Sequence, residues 1–213
     1  MGIKQYIEQS LTYTDDGRLL DEDGRAIMME WELPIMQKSA EIICRNGGRV
    51  LNVGFGMGLI DSSIENYDIY EHWIIEAHLD VYTKMLEDGW HKLPHVKILY
   101  GDWRWYLPFL PMFDGIYIDT WDEEVWDFHD FVPNILRPQG IYSFFNNPRR
   151  DDNNLHMMEE DFKRITEWGE IEYEPIPLNY ISDIQEQTTN GEFYWNPEWT
   201  TYYSPVIRHK KWA

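Results

Sequence analysis

The chain has 213 residues, of which 43% are hydrophobic and 16% aromatic, and carries a formal net charge of −20. That is too apolar for a disordered acidic protein and suits a single α/β domain, residues 1–213, with a well-buried core. The charge argues against nucleic acid as a partner, since phosphate binding needs clustered Lys and Arg, and favours small cationic substrates.

Cys44 is the only cysteine, so an internal disulfide and a cysteine zinc cage are both excluded. Its place after Ala40-Glu41-Ile42-Ile43 reads as a packed helix face rather than a nucleophile. No apolar run reaches membrane-spanning length. The expectation is a soluble, cytoplasmic protein with no membrane partner.

In chain order, residues 1–26 are polar and acidic, with turns at Asp15-Asp16-Gly17 and Asp21-Glu22-Asp23-Gly24. They read as too poor in apolar residues for a core element, and so as a frayed terminus or a flap. From Leu33, the positions Ile35, Met36, Ala40, Ile43 and Cys44 have helical spacing, ending at Gly47-Gly48. Strands are predicted at 49–53, 73–76, 96–100, 114–119 and 141–145, with helices at 57–65, 79–88 and 126–136 between them. Arg137-Pro138-Gln139-Gly140 reads as a turn. A helix over 155–168 and strands over 171–181 and 200–207 follow. The predicted fold is therefore a doubly wound, mostly parallel sheet with an antiparallel C-terminal edge.

Ligands of such sheets bind at the carboxyl ends of the strands. That rule selects Asn52 with Gly54, Phe55, Gly56, Met57 and Gly58, then Glu76, Asp102 with Trp103, Asp119 with Thr120, and Asn146-Asn147. The glycines permit a close backbone approach to a nucleotide-like ligand, and an acid about twenty residues on grips ribose hydroxyls. Asp102 and Trp103 offer a polar contact and a flat face for an adenine. His78 either lines this pocket or is a satisfied structural histidine. Asp119 ends a buried strand and faces the cleft. Glu32 precedes a helix, where an acid complementing the macrodipole is the ordinary reading. Were Glu32 and Asp119 to converge, they would suit a planar guanidinium, which can bond each carboxylate in bidentate fashion. The seven histidines form no metal-binding motif, and neither a Gly-x-Ser-x-Gly elbow nor a Walker sequence occurs. No metal is expected.

Residues 50–61, His72-Trp73-Ile74-Ile75-Glu76-Ala77-His78, Gly101-Asp102-Trp103 and 113–120 together resemble the class I S-adenosylmethionine-dependent methyltransferases, which have a seven-stranded Rossmann-like sheet. Within them they resemble the branch of guanidinoacetate N-methyltransferase and the fungal arginine δ-N-methyltransferases. Met28-Met29-Glu30-Trp31-Glu32-Leu33-Pro34-Ile35-Met36 is similar to that branch's Trp-Glu-x-x-x-Met motif, and Tyr202-Tyr203-Ser204-Pro205 to the fungal enzymes. The resemblance implies S-adenosylmethionine as cofactor. Gly54 to Gly58 would hold its methionine moiety and Glu76, beside Ala77 and His78, its ribose. Asp102 and Trp103 would flank the adenine, and Met28 and Met36 would close on the cofactor. Tyr6 would be a lid residue, which favours the flap. Glu32 and Asp119 would hold the acceptor guanidinium, with Thr120, Asn146 and Asn147 beside it. Two departures stand out: Asn52 replaces the acid usual in the first motif, and Asn147-Pro148 replaces a Leu-Thr pair that contacts substrate in the guanidinoacetate enzyme.

The expected reaction is displacement at the sulfonium methyl by a guanidino nitrogen, with Asp119 as base and Glu32 as orienting partner. Trp31, Trp103 and Trp121 would exclude water. The expected acceptor is a small guanidine such as guanidinoacetate or free arginine. The alternatives are an arginine in a peptide or protein, and a catalytically idle cofactor-binding module. The presence of both Glu32 and Asp119 speaks against the last.

Overall fold

The computed structural model describes residues 3–120, 124–146, 159–178 and 200–210. The N-terminal stretch is more structured than its composition suggests. Helix α1 (Ile3–Glu8) leads into an antiparallel meander of β1 (Thr12–Tyr13), β2 (Arg18–Leu20) and β3 (Ala26–Met29). The predicted acidic turns join these short strands. Leu19, Met28 and Met29 are buried and supply the apolar anchor. A frayed terminus is thus excluded. Three inward-facing residues suffice because the meander borrows its core from the main domain.

A 3₁₀ turn over Glu30–Glu32 opens α2 (Leu33–Ile43), with Pro34 in its first turn, where the missing N–H costs nothing. Then come β4 (Arg49–Val53), α3 (Leu59–Ile64), β5 (Glu71–Glu76), α4 (Leu79–Glu87), β6 (Val96–Tyr100), α5 (Trp103–Tyr106) and β7 (Phe113–Ile118). The chain continues through α6 (Glu124–Ile135), β8 (Leu136–Phe144), α7 (Glu159–Trp168), β9 (Gly169–Pro177) and β10 (Thr201–His209). The seven-stranded sheet has the order β6-β5-β4-β7-β8-β10-β9. The first five of these strands are parallel neighbours, and β10 runs antiparallel to both β8 and β9. This is the predicted doubly wound sheet with its antiparallel edge.

Two predicted boundaries move. Helix α3 starts only at Leu59, because Gly58 takes a left-handed φ of +70° at its N-cap and Met57 stays in the turn. The turn predicted at 137–140 lies inside β8. There Phe113 pairs with Leu136 and Gly115 with Ile141, so the four residues bulge out of register, with Gln139 at φ +69°. The predicted helix and strand residues 155–158 and 179–181 lie outside the described residues.

Both sheet faces are covered. One layer packs Met36, Ile43, Val50, Ile74, Val81 and Tyr117 together; the other packs Leu51, Ile75, Trp103, Ile116, Phe128 and Ile207. At Gly115, an added Cβ would collide with the Ile43 carbonyl oxygen. Helix α2 therefore lies directly on the backbone of β7, the strand that leads to Asp119. Gly115→Ala should force them apart at a cost of about 2 kcal/mol, lowering Tm by roughly 4–8 °C in a calorimetric scan. An unchanged Tm would show that the helix can yield.

Candidate active site

The turn after β4 holds Gly54, Gly56 and Gly58 at φ +93°, +55° and +70°, conformations that L side chains rarely adopt. All three also need the space, Gly58 because a Cβ there would lie 2.5 Å from the Phe55 ring. A Cβ at Gly54 would collide with the Asp119 carbonyl oxygen, and one at Gly56 would lie 3.0 Å from Met28 Sδ. Met57 N donates to the same sulfur at 3.3 Å. Met28 is thus joined to the turn, whereas Met36 lies buried deeper, 3.6 Å from Tyr117 Oη.

Glu76 ends β5, buried, and accepts hydrogen bonds from the backbone N–H groups of Phe55 (2.8 Å) and His78 (2.6 Å). Burial raises its pKa, although these bonds and others from Gly56 and Ala77 oppose the rise. His78 Nε2 bonds Gln9 O at 2.9 Å while Nδ1 accepts from Asp80 N at 3.1 Å, a pairing that fixes the Nε2–H tautomer. The N-terminal segment docks at this point. The Tyr6 ring meets His78 edge-on at 5.1 Å, Leu11 N donates to Asp80 Oδ2 at 3.0 Å, and Tyr13 Oη donates to Gly56 O at 2.9 Å. Burial, then the Glu76 charge, pushes the Tyr6 phenol pKa well up. The segment folds over the cleft as a flap.

Asp102 caps α5, accepting from Arg104 N at 2.9 Å. Trp103 is buried against the edge of Phe128, and the Arg104 guanidinium sits 4.3 Å from its ring centroid. This corrects the expectation of an open indole face at Trp103. The aromatic cluster of β7, β8 and α6 draws it inward.

At the other end, Glu32 is not a solvated helix-start acid. It is fully buried, and its Oε1 accepts from Met29 N at 2.8 Å. Asp119 directly follows β7 and is half-buried; its N–H donates to Val53 O at 3.0 Å, tying it to the strand that begins the glycine turn. Burial pushes the Asp119 carboxyl up to about 7. The charges of both acids act on the same two fully buried phenols, Tyr117 and Tyr202. Tyr202 Oη accepts from Asn146 N at 2.6 Å, and Asn146 Nδ2 donates to Tyr203 O at 3.0 Å. Thr120 Oγ1 is buried with no hydrogen-bond partner among the described residues. Asn147 and Trp121 lie outside the described residues. Sequence reasoning missed Tyr117 and Tyr202 as pocket residues. The available signal was a phenol inside the apolar run Gly115-Ile116-Tyr117-Ile118, where a hydroxyl needs a partner.

Residues 3–172 match the family model described as guanidinoacetate N-methyltransferase. The chain belongs to the guanidinoacetate N-methyltransferase family. Among the relatives of this family member, protein arginine N-methyltransferase 2 of Yarrowia lipolytica is 40% identical over 194 residues, 82% of this chain and 40% of that protein. The protein of the same name from Aspergillus oryzae is 36% identical over 220 residues, 96% of this chain and 51% of that protein. The chain thus spans about half, or less, of the curated relatives it matches. Spermidine synthase from Thermotoga maritima, at 16% identity and TM-score 0.62, covers 95% of this family member and is itself covered over 68%. Precorrin-6y C5,15-methyltransferase from Geobacter metallireducens, at 13% identity and TM-score 0.58, covers 89% and is covered over 95%. At such identities these structures establish the fold, that of the Rossmann-like methyltransferases.

An acid whose folded pKa is raised gives up stability as pH climbs through that pKa. Asp119→Asn should therefore raise Tm relative to the native chain at pH 8, by a margin that shrinks as pH falls and closes only near the ordinary aspartate pKa of about 4. A Tm difference independent of pH would mean that Asp119 is not the strained carboxylate.

Proposed function

We propose that the chain is an S-adenosylmethionine-dependent N-methyltransferase whose acceptor is the guanidinium of an arginine residue in a peptide or protein. The observation that carries this reading is that the buried Glu32, and Asp119 tied by its N–H to Val53 just before the glycine turn, both bear electrostatically on Tyr117 and Tyr202. Family membership supports the guanidino chemistry. The printed names of the fungal relatives support arginine as its source.

The residues fit the cofactor. A left-handed turn without Cβ atoms leaves backbone space for the methionine moiety, and Met28 Sδ borders it. Glu76 is a buried acid at the carboxyl end of β5, where the ribose hydroxyls would lie. When bound, S-adenosylmethionine supplies an electrophilic methyl group on a positively charged sulfur. The chain supplies the rest. Glu32 and Asp119 hold the guanidinium in plane by charge-assisted hydrogen bonds. A protonated guanidinium has no lone pair to offer, so a proton must leave as attack proceeds, and Asp119 accepts it. Desolvation makes Asp119 a stronger base than a surface aspartate, and the arriving cation then favours its ionised form. Tyr6 and Tyr13, on the flap, keep water from the cleft.

A second reading, a free small guanidine as acceptor, is favoured by the flap. A cleft closed by Tyr13 on Gly56 and by Gln9 on His78 suits a substrate that can be enclosed. Labelled methyl transfer to arginine-containing peptides, free arginine and guanidinoacetate separates the two. Peptide turnover is expected. Turnover of small guanidines alone would replace the first reading by the second, and silence on all three with cofactor bound would defeat both. Asp119→Asn should abolish turnover and keep cofactor affinity; retained turnover would defeat its assignment as the base.

A further inference from the structure

Beneath the glycine turn runs a continuous hydrogen-bonded chain of side chains from Asn52 to His95. Asn52 Nδ2 donates to Gly54 O at 2.9 Å and to Asp61 at 2.9–3.0 Å. Asp61 Oδ1 meets His72 Nε2 at 3.0 Å, and His72 Nδ1 meets Glu65 Oε1 at 2.8 Å. Glu65 Oε2 meets His95 Nε2 at 2.8 Å. Asn52, Asp61 and His72 are all buried.

The direction of this chain is forced by its chemistry. The Gly54 carbonyl can only accept, so Asn52 presents its amide N–H groups and Asp61 must accept from them. With both flanking carboxylates ionised, His72 donates at both ring nitrogens, as an imidazolium, and its bond to Asp61 opposes the burial that raises the Asp61 pKa. One positive charge thus lies between two carboxylates, which is how a buried charge becomes tolerable. The substitution of Asn52 for the usual first-motif acid now has a structural account: the acid stands on α3, as Asp61, and reaches the turn through the amide.

Resting on the reading that the glycine turn holds S-adenosylmethionine, we propose that His72 is a positioning residue for the cofactor. Clamped between Asp61 and Glu65, it fixes the Gly54 carbonyl through Asp61 and Asn52 and thereby sets the turn in its binding conformation. Burial works against the charged ring, but the hydrogen bonds from Asp61 and Glu65 outweigh it and raise the His72 pKa. The Glu65 pKa, which burial would raise, is lowered by His72 and His95. The groups facing His72 are Asp61 and Glu65 from α3, the backbone carbonyl of His95 (which accepts His72 N at 3.0 Å), and the edge of the Trp90 ring. Cys44 on the α2 side feels Glu65 only as a neutral thiol, its pKa held at about 12 by burial and by that charge. The sign follows: the clamp is intact at low pH and is lost as pH rises through the raised His72 pKa.

The test is Glu65→Gln, at a partly exposed position that removes one carboxylate and keeps the shape. It should raise the KM for S-adenosylmethionine about tenfold at pH 8 and move the alkaline rise of that KM about one pH unit lower. The kcat at saturating cofactor and the KM for the acceptor should stay unchanged. Nitrogen-15 spectra of the imidazoles should show both ring nitrogens of His72 protonated at pH 7 in the native chain. Superimposable pH profiles for cofactor KM, or a neutral His72 ring at pH 7, would overturn the proposal. Gly56→Val tests the underlying reading separately: wild-type cofactor affinity in that variant would defeat the role of the turn itself, and the positioning role with it.

Discussion

The Cβ atom that Gly54 lacks sets the geometry of the whole site. The Gly54 backbone lies against the carbonyl of Asp119, and any side chain there would push apart the ends of β4 and β7. Those strands pair in parallel with Val53 opposite Ile118, so their carboxyl ends emerge side by side. One yields the turn that borders the cofactor space, and the next yields the acid proposed as base. The position of Asp119 relative to the glycine turn is thus fixed by main-chain contact, the least compressible material available to a fold.

Around that contact the electrostatics are consistently one-sided. Glu32 and Glu76 are buried and Asp119 is half-buried; burial raises the Asp119 pKa, and at Glu76 it outweighs the backbone hydrogen bonds that the carboxylate accepts. A cleft built in this way is costly while empty and relaxes when cations enter. The cluster below the turn is solved differently, with a histidine between two acids. Two styles of buried acid thus lie within one domain: one left short of positive charge and one supplied with it.

The sheet was legible because burial on both faces imposes unbroken apolar runs, such as Ile74-Ile75 and Ile116-Tyr117-Ile118, and because glycines punctuate them. Asp119 and Glu76 were legible for the same reason: each ends such a run. Glu32 could not be located without tertiary structure, because a helix-start acid looks the same whether it faces water or the core. The residues alone left the N-terminal segment open between frayed end and flap, since its few apolar residues pack on partners far along the chain, as Met28 does on Gly56 and Met57. The bulge at 137–140 looked like a turn because local propensity is blind to the neighbouring strand that carries the register across it. Tyr202 reaches the acceptor pocket from a strand far from Glu32 in sequence, and no local pattern signals that meeting.

The placement of β10 affects how the protein comes into being. It is the last of the described strands in the chain, yet it inserts between β8 and β9 instead of joining an edge. During vectorial synthesis β4 to β8 can assemble early, around the nucleoside-binding half of the cleft. The acceptor wall must wait for Tyr202 to emerge, and β9 has no sheet partner until β10 arrives. A nascent chain therefore offers the five parallel strands before β10 can join β9 to them.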